Sequence, residues 1–142
     1  MIRRTQHMGP RMGATILEVL IVLSIIALIA AVIGPRVIGY LGTAKSETAS
    51  LQIKNLGSAV QLFYVDTGRY PAEAEGLTAL VTRPAGEAAW NGPYLQSAEA
   101  LTDPWGRDYL YEPPSGDASF AIRSLGRDGA EGGSGEDADL GL

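Results

Sequence analysis

Any chemistry in this chain would fall to its acidic residues. Asp128, Asp137 and Asp139 lie in the stretch 125–139, with Gly129, Gly132, Gly133 and Gly135 between them. Carboxylate oxygens on a backbone free enough to turn its own carbonyls inward suit a hard cation. Calcium takes about six to eight oxygens at roughly 2.3–2.6 Å and fits such a loop better than magnesium, which keeps more of its water. Asp128 and Asp139 are spaced like the first and last ligands of an EF-hand, but the intervening carboxylates and the terminal Glu are missing. By composition alone the competing reading, a solvated acidic tail without fixed structure, ranks first.

A second acid stands apart. Glu18 is the one charge in the apolar run 14–33, which ends at Gly34-Pro35. About 20 residues at roughly 1.5 Å each reach about 30 Å, the thickness of a bilayer's hydrocarbon core. Arg3, Arg4 and Arg11 precede the run with no acid among them, an arrangement that keeps the N-terminal end in the cytoplasm and exports the rest of the chain. A carboxylate inside such a helix needs a partner, and the run has no basic side chain to offer. Cutting the chain between Gly13 and Ala14 would create one, a free α-amino group, which in a polymer can be a neighbour's. The alternative is a glutamate one turn inside the helix that reaches back to the headgroups.

Enzymatic readings find little support. The single histidine, His7, precedes the apolar run, and there is no cysteine, no metal-binding histidine pair and no phosphate loop. Glu73 and Glu75 form a nominal carboxylate pair, but they belong on the solvated face at the start of a helix.

The elements that must position these residues follow from periodicity. Ala49, Ile53, Leu56, Val60 and Phe63 recur at four- and three-residue steps, one face of a helix. Asp66-Thr67-Gly68 stops it, with Gly68 suited to the C-terminal cap. From Ala14 to about Val65 the helix would measure roughly 75–80 Å, with bending or local melting expected between Gly34 and Gly42. Residues 73–81 read as a short helix with Leu77, Leu80 and Val81 inward. Residues 90–95 read as a loop with anchoring aromatics and 103–106 as a tight turn. Two strands, 108–111 and 119–124, are joined by the loop 113–117. The fold class is α+β, a long N-terminal helix packed on a small antiparallel sheet.

The frame is one small outside domain. Of 142 residues, 11 are basic and 16 acidic, a formal charge of −5; losing residues 1–13 removes three arginines and no acid, giving −8. Such a domain is a poor nucleic-acid binder. Without cysteine it has no disulfide staple.

Gly13 followed by Ala14-Thr15-Ile16-Leu17-Glu18, a long apolar helix and Pro35 resembles the class III signal of type IV pilin-like proteins. In that family a prepilin peptidase cuts after the glycine and methylates the new N-terminus. Glu18 falls on the family's acidic assembly position and Pro35 on its helix-kinking proline, while Ala14 replaces the usual Phe. Further landmarks are Tyr70-Pro71, Glu75-Gly76-Leu77, Gly92-Pro93-Tyr94-Leu95, Asp103-Pro104-Trp105-Gly106 and Ser124-Leu125-Gly126-Arg127-Asp128-Gly129. Their order is similar to that of the major pseudopilins of type II secretion systems.

The resemblance implies residues 1–13 as a cleaved leader, 14–35 as a transmembrane and filament-core helix, and 36–142 as a periplasmic domain of type IV pilin-like fold. It implies an inner-membrane protein that polymerises with itself into a periplasmic pseudopilus. Minor pseudopilins and the inner-membrane assembly platform would be its partners, and export of folded proteins across the outer membrane its role. It also implies one calcium ion in the last loop, held by the side chains of Asp128, Asp137 and Asp139 with the carbonyls of Leu125 and Ala130. The rival readings are a type IV pilin or minor pseudopilin, and a membrane-anchored binding domain that never polymerises.

Overall fold

Four- and three-residue steps place Ala49, Ile53, Leu56, Val60 and Phe63 on one stripe of a helix, and in the computed structural model, which describes residues 15–142, all of them are buried. They belong to α1, Ile16–Thr67. Gly68 ends it at φ +72°, its N–H donating to the Tyr64 carbonyl at 2.8 Å. A left-handed residue there costs glycine nothing sterically and captures a carbonyl the helix would leave free. The local melting expected between Gly34 and Gly42 is absent, because α1 stays helical through Pro35, Gly39 and Gly42. Proline removes a single amide donor from the ladder. Just beyond it the hydroxyls of Thr43 and Ser46 donate to the carbonyls of Gly39 and Gly42.

The chain divides into two compact units, one ending at Ile38 and the other comprising Gly39–Leu142. In the first, the apolar side chains from Ile16 to Ile33 are exposed all round the helix. Length and composition there suffice to cross a membrane.

In the second unit, β1 (Leu110–Glu112), β2 (Ala121–Ser124) and β3 (Leu140–Gly141) form an antiparallel sheet in the order β1-β2-β3. Tyr111 faces Ile122, and Ser124 faces Leu140. Tyr109, Phe120 and Ile122 join Ile53, Leu56, Val60 and Phe63 of α1 in one core with Leu77 and Leu80. The first strand starts later than the expected 108–111, because Asp108 instead bridges Thr102 across the 103–106 turn. Strand β3 was not expected from the sequence. The expected helix 73–81 is a shorter 3-10 helix, Gly76–Leu80, which buries Leu77 and Leu80 and leaves Val81 half-exposed. The tighter 3-10 turn aligns positions three apart, here 77 and 80, and carries Val81 off that row. Trp90 and Tyr94 anchor the following loop: the Trp90 indole donates to the Ala79 carbonyl at 2.8 Å, and the Tyr94 hydroxyl donates to Asp66 at 2.8 Å.

A buried carboxylate joins the 103–106 turn to the sheet. Asp103 is 6% exposed, and one of its oxygens accepts the amides of Trp105 and Arg107 at 3.0 and 2.9 Å. The other accepts the Ser124 hydroxyl at 2.6 Å, and the Ser124 oxygen in turn accepts the Gly126 amide at 3.3 Å. A buried acid without such donors would be expensive. Asp103→Ala strips three donors of their acceptor, and should cost about 3 kcal/mol or more on the scale of about 1–3 kcal/mol for each buried polar group left unsatisfied. Chemical denaturation of the full-length protein in detergent would measure it.

Past the end of α1, Arg69 pairs with Glu75 at 2.7 Å and with Glu87 at 2.8 Å. Hydrogen bonding to Arg69, then the Ala72 amide, holds the Glu75 carboxyl below the usual glutamate range. A depressed folded-state pKa contributes stability that is complete above the unfolded value, near 4.3, and is lost as pH falls through the folded value. The pair is partly exposed, with 38% and 27% of the two side chains open to solvent, so screening limits it to about 1 kcal/mol or less. Glu75→Gln should therefore destabilise slightly at pH 7, and its melting curve should converge with that of the unsubstituted protein as pH drops below about 4.

Candidate functional site

Two groups of residues are candidates. At the start of α1, Thr15 precedes the first helical residue, and its hydroxyl accepts the Glu18 amide at 3.2 Å. Thr15 is thus the N-cap and Glu18 the third helical residue, the spacing of a capping box. The Thr-x-x-Glu spacing is the sequence signal for this cap, which is made by the Glu18 backbone amide. An acid in the first turn also meets the positive end of the helix dipole. Further along, the Ser24 hydroxyl donates to the Leu20 carbonyl at 2.7 Å. That leaves Glu18 as the one side-chain charge among the described residues before Arg36. Gly13 and Ala14, the expected processing site, lie outside the described residues. Pro35 lies inside α1.

The second group is the connection from β2 to β3, residues 125–139. It is a folded loop. The Arg127 amide donates to the Glu136 carbonyl at 2.8 Å, and the Asp139 amide to the Gly132 carbonyl at 3.2 Å. Gly126, at φ +65°, sits so close to the returning chain at 136–138 that a Cβ would come within 2.7 Å of the Glu136 carbonyl oxygen. Only glycine meets both conditions there.

Each of the three aspartates has a partner within the chain. One Asp128 oxygen accepts the Ala130 amide at 3.0 Å, and one Asp139 oxygen accepts the Gly132 amide at 3.0 Å. Asp137 is paired more fully: Arg127 Nε and Nη2 donate to its two oxygens at 2.8 and 2.9 Å, while Arg127 Nη1 donates to Glu136 at 3.1 Å. Hydrogen bonding to Asp137, reinforced by the charges of Asp137 and Glu136, raises the Arg127 pKa further. Leu125 is half-buried beside Ser124, and Ala130 is exposed. Among the described residues, no three acids or histidines gather in a way that could hold a metal. In this arrangement the loop's oxygens answer amides and a guanidinium, and their disposition does not fit a calcium cage of six or more oxygens.

Two cations at this loop escape a reading of the sequence. Arg107 follows the 103–106 turn and donates from its guanidinium to the carbonyls of Gly126 and Arg127. Arg127 sits inside the very motif that marks the loop, but nothing local shows that it meets Asp137, ten positions on.

Comparison with known proteins agrees with this architecture. The family model described as type II secretion system protein G matches residues 36–142. The type II secretion system core protein G of Xanthomonas campestris pv. campestris is 37% identical over 139 residues, 98% of this chain and 94% of its own length. Its counterpart from Pseudomonas aeruginosa is 38% identical over 133 residues, 91% of this chain and 92% of its own. The crystal structure of the major pseudopilin from the type 2 secretion system of enterohaemorrhagic Escherichia coli superposes with a TM-score of 0.57 at 28% identity, covering 73% of this chain and 90% of that one. A long N-terminal helix, a three-stranded antiparallel sheet and matches across nearly the whole length place this chain in the type II secretion system protein G family, the major pseudopilins.

Proposed function

We propose that the chain is the repeating subunit of a periplasmic pseudopilus. The observation that carries this reading is the first unit of the fold: an apolar helix exposed on every side, with one carboxylate at its third position. A single membrane span gains little from such a carboxylate, whereas a bundle of identical helices can give it a partner. In the proposed cycle a prepilin peptidase cuts between Gly13 and Ala14 and methylates Ala14, and the helix waits in the inner membrane. On assembly, Glu18 neutralises the free N-terminus of a neighbouring subunit while residues 14–35 pack into the filament core. Pro35 then lies where the buried helix passes into the periplasmic domain, 36–142. Minor pseudopilins and the inner-membrane platform supply initiation and force, and the growing fibre moves folded proteins across the outer membrane. The catalytic steps belong to the peptidase and the platform; the subunit contributes shape and cohesion.

Removing one member of a buried ion pair costs about 3–5 kcal/mol, so Glu18→Ala should weaken association between subunits by about a hundredfold or more. Fractionation should find the variant in the inner membrane at the normal level and starting at a methylated Ala14, with filaments lost from sedimentation and cross-linking and with export halted. Wild-type filaments and export from the variant would sink the assembly role of Glu18 and favour a membrane-anchored domain that does not polymerise.

A further inference from the structure

The loop 125–139 already contains a cation. Arg127 grips both oxygens of Asp137 and one of Glu136 with its side chain, and its backbone amide holds the Glu136 carbonyl. The residue therefore fastens the same dipeptide twice, once through the main chain and once through a planar fork. Arg107 approaches from the 103–106 turn and caps two successive carbonyls, those of Gly126 and Arg127. Its own place is kept open by Gly129, where a Cβ would come within 2.6 Å of Arg107 Nε. Carboxylates and inward-turned carbonyls are what a hard metal would need, and here guanidinium groups have taken an acceptor of each kind. A metal seated on Asp137 would have to break two charge-assisted hydrogen bonds and then share the loop with two positive side chains.

We infer that Arg127 is the loop's own counter-ion, and that residues 125–139 close and present β3 to the sheet without calcium. A guanidinium is well matched to this role, because its fork meets a carboxylate bidentately and it stays charged at every physiological pH. This inference goes beyond the pseudopilus reading and does not depend on it, because it concerns the folding of one loop in one subunit.

The experiment compares limited proteolysis within 125–139 and thermal melting for the full-length protein in detergent, in millimolar calcium chloride and in excess chelator. The unsubstituted protein should give the same cleavage rate and the same melting temperature in both. Arg127→Gln should speed cleavage in chelator by about fivefold, the scale of a well-formed but solvent-exposed ion pair. Asp137→Asn should speed it by no more than that, since it leaves the Arg127–Glu136 bond in place, and the double variant should be no faster than Arg127→Gln alone, because both remove the Arg127–Asp137 contact. A melting temperature that rises with calcium in the unsubstituted protein would overturn the inference, since the carboxylates would then be serving a metal. So would single-variant effects that add, or an Arg127→Gln variant cleaved at the unsubstituted rate. Should Arg127→Gln fail to fold, the calcium comparison on the unsubstituted protein still decides.

Discussion

The second unit of this fold depends on one buried carboxylate. Asp103 accepts the amides of Trp105 and Arg107 on one oxygen and the Ser124 hydroxyl on the other, so a turn and a strand far apart in sequence are fixed against each other by a single side chain. A carboxylate in that position is tolerated only because its acceptor sites are filled. Its effect also travels outward. Fixing the Arg107 amide aims the Arg107 side chain at the carbonyls of Gly126 and Arg127, and the Ser124 oxygen that meets Asp103 also receives the Gly126 amide. The Asp-Pro-Trp-Gly turn and the Ser-Leu-Gly loop therefore occur together in the sequence for a physical reason: they are two sides of one hydrogen-bonded assembly.

The features legible in the sequence were those that depend on period and on single-residue stereochemistry. The stripe from Ala49 to Phe63 is buried as its spacing requires, and Gly68 takes the positive φ that ends the helix. Both are local consequences of the residues involved. Strand β3 is different, because Leu140–Gly141 is too short to show alternation, and its state is set by pairing with Arg123 and Ser124. The 3-10 geometry at Gly76–Leu80 was hidden for a related reason: the apolar spacing of Leu77 and Leu80 suits either helix type. At the candidate sites, the Thr15 cap on the Glu18 amide went unread because Glu18 draws attention as a charge in an apolar run, although its Thr-x-x-Glu spacing was legible. The Arg127–Asp137 pair was not, because counting oxygen donors in a glycine-rich loop says nothing about which cation the fold delivers to them.

Two helix glycines connect these observations. Gly42 reads in the sequence as a weak point in α1, and glycine in a helix interior does cost roughly 1 kcal/mol relative to alanine. In the fold, a Cβ at Gly42 would collide with Glu136 Cδ, and one at Gly57 would come within 2.9 Å of Leu142 Cδ2. Each glycine is the place where the C-terminal segment comes down on the helix. Glu136 is also one of the carboxylates gripped by Arg127, so the contact over Gly42 and the closure of loop 125–139 share a side chain. Opening the loop would release Glu136 from both at once and uncover the α1 surface around Gly42. The intrinsic helix stability given up at Gly42 thus lets helix, loop and β3 be held as one cooperative piece, with the C-terminal segment seated at two separate points along α1.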